Sequence, residues 1–264
     1  SQARVAVFRR GILFYAGPAN VTIQNSNILI FGTLSSDRSP IELQINSECL
    51  PNDNQLQIFR VKNNTFTMLV NQDNESYVNF YIDIVKYYPR KVELYYDGNT
   101  KKNIVDNAYA LVNLYLTANT YLHIGDTTIT NVSSLQGIIT INTAKTVVVE
   151  NLSITNITAF LYHVIYFSDV GDVTMKNVTV MNLVGSQNLN HYVFKFVIRE
   201  KVTLLFDSIV FSDSNLALNK GFDISGVSKK ISFLNSKFTN INIGDKSALI
   251  STGKFNALEM QNIT

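Results

Sequence analysis

An all-β chain coiled as a right-handed parallel β-helix is what the sequence predicts, and three observations carry that prediction. The first is a short grammar: apolar, polar, apolar, polar, Asn, then a second short strand, as in Val173-Thr-Met-Lys-Asn177-Val-Thr-Val180-Met-Asn182. Alternation at period two marks a strand with one buried face, and Asn tolerates the left-handed backbone that turns a corner in very few residues. The second is recurrence. The grammar returns at Val147, Val149, Asn151 and Ile154; at Leu122, Ile124, Asp126 and Ile129; at Ile231, Phe233, Asn235 and Phe238; and at Leu258, Met260 and Asn262. Upstream it fits Val21, Ile23, Asn25 and Ile28, and again Phe59, Val61, Asn63 and Phe66; around Asp207 it is one residue out of phase. The third is spacing: joints at 126, 151, 177, 207, 235 and 262 are separated by 25, 26, 30, 28 and 27 residues. A period of that size with strand grammar means a solenoid.

Other repeats fail. No segment holds a 3.6-residue apolar pattern, a propeller blade needs roughly 40 residues, and no Leu-x-x-Leu-x-Leu run occurs. A third strand recurs in each interval: Gly137 to Ile141, His163 to Phe167, Tyr192 to Ile198, Gly221 to Ser225 and Ala248 to Ser251. Three strands per coil and about nine coils are therefore expected. The rung apolar-x-apolar-x-Asn-x-x-apolar-x-Asn resembles the repeats of pectin-lyase-like right-handed β-helix proteins, and the composition is similar to that of large surface β-helix proteins of protists. The resemblance implies a fold rather than an activity, because that scaffold carries lyases, hydrolases, tailspikes, adhesins and plain surface proteins.

Taken in order, residues 1–20 hold two apolar runs, Val5 to Phe8 and Ile12 to Tyr15, before Gly17-Pro18 breaks the pattern. These are read as strands of a first coil and not as a cap. From 21 to 76 the coils are looser; joints at Asn25 and Asn63 lie 38 residues apart, and Ser35 to Pro40 and Pro51 to Asn54 are turn clusters. Residues 77–121 are rich in tyrosine: Tyr77, Tyr81, Tyr87, Tyr88, Tyr95, Tyr96, Tyr109, Tyr115 and Tyr121. From 121 to 264 the coils become regular, and no linker divides the chain, so residues 1–264 read as one domain with irregular coils over 1–120. Val21, Val147, Val173 and Ile231 should stack as one interior column, with Ile23, Ile124, Val149, Met175 and Phe233 as another. Asn25, Asn151, Asn177 and Asn235 should form a ladder of amide bonds along the axis. Read as buried, that ladder predicts a loss of roughly 1–3 kcal/mol for Asn235→Ala.

Composition narrows the function. The net charge is +2 from 22 basic and 20 acidic residues, which gives no electrostatic case for nucleic acid or an anionic membrane. The longest apolar run, Phe160 to Phe167, is far short of the roughly 20 residues a membrane-spanning helix needs. The lone Cys49 sits beside a turn cluster with no histidine near it in sequence, and reads as an inert thiol. The chain starts at Ser1, which fits a processed or truncated product.

Chemistry-bearing groups are sparse. Polysaccharide-cleaving members of the resembled fold set acids with Arg or Lys on one sheet face; the matching positions here are Asp169, Asp172 or Asp223 with Lys195 or Arg199. No paired Asp-Asp and no Gly-His-Gly occurs, and Arg60-Val61-Lys62 only faintly matches a substrate-binding Arg-x-Lys. His123, His163 and His191 are scattered, with no ligand set for a metal. No catalytic residue, cofactor or metal is expected. The tyrosines offer flat platforms for sugar rings, or simply good strand formers.

Eight Asn-x-Ser/Thr sequons are the strongest local signal: Asn20, Asn63, Asn74, Asn131, Asn151, Asn156, Asn177 and Asn262. Asn20, Asn74, Asn131 and Asn156 lie outside the joint and are the preferred N-glycan carriers; Asn63, Asn151, Asn177 and Asn262 coincide with ladder joints, where a buried side chain is barred from carrying sugar. The expectation is a non-enzymatic, extracellular or cell-surface structural glycoprotein with no direct membrane span. Its partners are covalent N-glycans and further copies of itself, stacked end to end with a rise of roughly 43 Å at about 4.8 Å per coil. A polysaccharide lyase or hydrolase, marked by three or more acids on one face, and a glycan-binding adhesin, marked by an aromatic groove, are the competing readings.

Overall fold

The computed structural model describes residues 12–15, 20–31, 41–45, 56–70, 78–84, 91–106, 110–134, 137–160, 162–185, 192–216, 220–243 and 248–264. Cys49, Asn74 and His191 lie outside them, as do the side chains of Arg199 and of every residue in 1–19. Among the described residues every element is a strand, and every pairing is parallel. The protein is a parallel β-solenoid.

The chain visits three sheets in turn. The first begins with β1 (Ile12–Tyr15), the second with β2 (Val21–Gln24) and the third with β3 (Asn27–Phe31). The same order repeats in β4 (Ile41–Ile45), β5 (Gln57–Lys62) and β6 (Thr65–Val70), then β7 (Val78–Ile84), β8 (Val92–Asp97) and β9 (Thr100–Asp106), then β10 (Ala110–Tyr115), β11 (Thr120–Gly125) and β12 (Thr128–Ser134). Later the elements fuse into β13 (Ile139–Glu150), β14 (Ser153–Phe160), β15 (His163–Gly185), β16 (Tyr192–Asn215), β17 (Lys220–Leu234), β18 (Lys237–Asn242) and β19 (Ile250–Gln261).

This fusion corrects the expectation of about nine coils of three separate strands. Beyond β12 a strand no longer stops at each corner, and β15 alone, 23 residues long, passes through all three sheets. The reason is the size of the corners. Asp169, Asn177 and Asn182 turn the chain inside β15 with one left-handed residue each, at φ of 60°, 52° and 55°. A corner of one residue leaves the register unbroken at Asn177 and Asn182, whereas across Asp169 the pairing with β16 shifts between Ser168 and Val173.

The two expected columns run through the second sheet. Val21, Phe59, Leu94, Leu122, Val147, Val173, Leu204, Ile231 and Leu258 are in register. So are Ile23, Val61, Tyr96, Ile124, Val149, Met175, Phe206, Phe233 and Met260. The loose match at Asp207 resolves by one step: Leu204 and Phe206 face inward, and the left-handed corner residue is Ser208. Full burial of each such side chain stabilises by about 1.5–3 kcal/mol. Rings fill the later interior, with Phe194 stacked on Phe222 at 4.3 Å and Phe206 on Phe233 at 4.7 Å. At the last coil the columns surface: Leu258 is 44% and Met260 49% exposed, beside Phe255 at 41%.

Candidate functional site

Alternation on the second sheet turns one set of residues inward and the next set outward. On its outer face the register aligns Arg60, Tyr95, His123 and Val148 in one row. Lys62, Asp97, Gly125 and Glu150 form a second row, and Ile58, Glu93 and Tyr121 a third. Four coils thus bring a histidine, three carboxylates, two cations and two tyrosines onto one face.

His123 is the centre. Its Nδ1 lies 2.6 Å from Asp97 Oδ1. A carboxylate only accepts, so Nδ1 carries a proton, and in the neutral ring Nε2 is then an acceptor. Nε2 faces Glu150 Oε2 at 3.8 Å, beyond hydrogen-bond reach. Asp97 is engaged on its other oxygen by Lys62 Nζ at 3.3 Å. Gly125 makes the room: a Cβ there would lie 2.6 Å from His123 Cε1 and 3.0 Å from Asp97 Oδ1. The Tyr95 hydroxyl donates to Glu93 Oε2 at 3.0 Å, and the Tyr95 ring lies 6.1 Å from both Tyr121 and His123. Arg60 and Lys62 sit 5.8 and 5.5 Å from the Tyr95 centroid. Burial, followed by the Glu93 hydrogen bond, pushes the Tyr95 phenol up; burial and then the Glu150, Glu93 and Asp97 carboxylates raise Tyr121. Tyr96, grouped with these in the sequence, points the other way. It is buried in the interior, and burial drives its phenol far up.

The acids singled out in sequence are not gathered. Asp169 is a corner residue. Asp172 Oδ1 accepts the Thr203 backbone N–H at 2.8 Å, and the intervening Gly171 is required because a Cβ would collide with the Lys145 carbonyl. Only Asp223 and Lys195 are neighbours, as register partners on the outer face of the first sheet. There Lys195 Nζ lies 4.3 Å from the Tyr192 centroid and 6.0 Å from that of Tyr166. His163, in register with Tyr192, bonds Thr140 Oγ1 through Nε2 at 2.9 Å and is held down to about 3 by burial and the Lys195 charge. It therefore stays neutral. No group of three or more His, Cys, Asp or Glu among the described residues is arranged to hold a metal ion.

The asparagines form two ladders, both on the outside. At the first corner Asn63 Nδ2 donates to Asn25 Oδ1 (3.4 Å), Asn151 to Asp126 (2.8 Å), Asn177 to Asn151 (3.1 Å), Asn235 to Asp207 (3.0 Å) and Asn262 to Asn235 (2.9 Å). Gly98 interrupts this row. At the second corner Asn131 donates to Asn103 (3.3 Å), Asn156 to Asn131 (3.0 Å), Asn182 to Asn156 (3.0 Å) and Asn240 to Asp213 (2.9 Å). Two expectations change. The ladder joints are exposed, not buried, and Asn131 and Asn156 are ladder residues rather than residues outside a joint. The left-handed corner points its Cβ away from the interior, so the amide stacks along the surface. Asn20 stands outside both rows, exposed, with Oδ1 accepting the Ile58 N–H at 2.8 Å.

Sequence reasoning missed Glu93, Asp97, Gly125 and Glu150. A signal existed: Lys62, Asp97, Gly125, Glu150 and Lys176 each precede a corner residue. It was hidden because one of those corners is Gly98, not Asn. The chain matches no family model, no curated protein and no solved structure, and solenoid topology by itself identifies no family.

Proposed function

We propose that this chain is a non-enzymatic structural solenoid of an extracellular surface, decorated with N-glycans and joined end to end with further copies of itself. The observation that supports the reading is the unbroken parallel register of both interior columns, from Val21 to Leu258 and from Ile23 to Met260. Each coil presents the same parallel strand edge to the next, so the stack is extended coil by coil. An unpaired edge with an apolar cross-section is a template for another coil. Such a head-to-tail contact gives a filament unless its rotation closes a ring. Seven of the sequons, at Asn20, Asn63, Asn131, Asn151, Asn156, Asn177 and Asn262, are on exposed residues, which supports the glycoprotein part.

Light scattering and electron microscopy of the purified chain test the assembly. Oligomers that grow with concentration and repeat at roughly 43 Å along the axis are expected, at about 4.8 Å per coil. Leu258→Lys with Met260→Lys should dissolve them without loss of β-structure by circular dichroism. A wild-type monomer at tens of micromolar overturns the reading. Intact mass of protein secreted from a eukaryotic host, before and after deglycosylation, tests the sugars; an unchanged mass removes that part.

A second reading has its own observation: Tyr95, Tyr121 and His123, with Tyr95 inclined by 55° and 49° to the other two rings, put aromatic surface on the outer face of the second sheet beside the hydrogen-bonding Glu150, against which a sugar ring packs. This favours a glycan-binding face. Three acids, Glu93, Asp97 and Glu150, do share that face, as a lyase or hydrolase would require. Two are tied, however: Glu93 to the Tyr95 hydroxyl, and Asp97 to Lys62 and His123. Release of reducing ends from a polysaccharide panel would decide for the enzyme.

A further inference from the structure

We propose that the slot between His123 and Glu150 on the second sheet binds the primary ammonium of an amino sugar, which deepens, and rests on, the glycan-binding reading of that face. His123 Nδ1–H donates to Asp97 at 2.6 Å, so in the neutral ring Nε2 presents a lone pair. Glu150 Oε2, 3.8 Å away, presents another. Two acceptors face each other with no hydrogen between them. An atom about 2.9 Å from each fits that span. A hydroxyl brings one hydrogen and satisfies one acceptor. An ammonium brings three, satisfies both and offers its charge to a neighbouring ring.

The surroundings favour a cation at this spot. Asp97 is already neutralised by Lys62 at 3.3 Å, which leaves Glu150 as the carboxylate facing the slot. The Tyr121 phenol, raised by burial and by the carboxylates of Glu150, Glu93 and Asp97, reports the same negative field. Lys62 and Arg60 occupy the approach to Tyr95 at 5.5 and 5.8 Å from its centroid. As cations they repel an ammonium from Tyr95, which confines the amine to the Glu150 side and leaves Tyr121 as the platform for an incoming amino sugar. Gly125 keeps the floor open, since a Cβ would press on His123 and Asp97. The chain's own competitor is Lys176, the register partner of Glu150.

Isothermal titration of the intact chain with four probes tests this: the fully deacetylated glucosamine hexamer, its N-acetylated counterpart, hexagalacturonate and a lysine tetrapeptide. The glucosamine hexamer should bind at least about tenfold tighter than the acetylated form, which is about 1.4 kcal/mol. Hexagalacturonate, attracted by Arg60 and Lys62 but repelled at the slot by Glu150, should bind more weakly than the glucosamine hexamer. Glu150→Gln, an isosteric change at an exposed side chain, should remove the preference, and Lys176→Gln should tighten binding. Equal affinity for both hexosamine forms leaves the glycan face standing and overturns the ammonium assignment. A lysine peptide that binds as tightly as the sugar overturns the sugar assignment. Silence from all four probes overturns the glycan face as well.

Discussion

The same corner of the solenoid is built in two ways. Just past the left-handed residue, the early coils place Asn64, Asn99 and Thr127 inside, and the later coils place Leu152, Val178 and Ile209 there before a polar residue, Ser236, returns. The polar set has to be wired. Asn99 Oδ1 accepts from Asn64 N at 3.1 Å and from Asn64 Nδ2 at 3.0 Å, while Asn99 Nδ2 donates to the Val61 carbonyl at 2.8 Å. Thr127 Oγ1 donates to the Gly125 carbonyl at 2.9 Å. The early interior also encloses Lys101, with Nζ 4.0 Å from the Phe66 centroid and 3.3 Å from the Leu111 carbonyl. Lys101 takes a register position held by Phe66 on one side and Ile129 on the other. The later interior is aliphatic and aromatic, with Phe206 among Phe196, Phe222 and Phe233 at 5.3, 5.4 and 4.7 Å. Directional bonds specify register; packing supplies stability with less specification. The early coils, whose connections are long and unequal, use the first device. The later coils, whose spacing is nearly constant, use the second.

The largest expected effect comes from breaking the packed half. Phe206→Ala should cost about 3–5 kcal/mol in urea unfolding, the range for emptying a buried ring site. A loss below about 1 kcal/mol would mean that the later coils are not held by their phenylalanines. Next comes acid. His163 is neutral in the fold down to about 3, whereas the unfolded chain takes up its proton near 6.5. The unfolded state then binds the extra proton, so stability is intact above pH 6.5 and falls as pH drops from there toward about 3, by at most about 1.4 kcal/mol per unit. His163→Gln should flatten that part of the pH profile; an unchanged slope would place the acid sensitivity elsewhere.

The wired half gives smaller numbers. Asn99→Ala strands the Asn64 N–H and the Val61 carbonyl, and should cost about 1–3 kcal/mol by thermal or chemical denaturation. A neutral result would reduce the inner asparagines to passengers. The outer ladder should matter least. Asn235→Gly keeps the left-handed corner and removes only an exposed amide rung, so a change within about 0.5 kcal/mol is expected. Asn235→Ala should cost about 1–2 kcal/mol, through backbone strain at φ 49° and not through a lost bond. If glycine proves as harmful as alanine, the rung itself carries stability.

Much of this protein is written in local pattern. Period-two alternation gave Val147, Val149, Val173 and Met175 their inward faces, because each lies an even number of residues before its corner at Asn151 or Asn177. The Asn joints were legible for a related reason: among side-chain-bearing residues, Asn pays least for the left-handed backbone. Their direction was not. Whether an amide at a corner faces inward or outward depends on how the corner is set between two sheets, and the structure places both ladders outside. The second ladder, through Asn103, Asn131, Asn156 and Asn182, was missed because its corners fall within strands rather than between them. What lay furthest from the sequence was the His123 face. Asp97, His123 and Glu150 are separated by 26 and 27 residues, and only the registers of β8, β11 and β13 set their side chains together. Alternation determines which side a residue faces; stacking of one coil on the next decides which residue it meets.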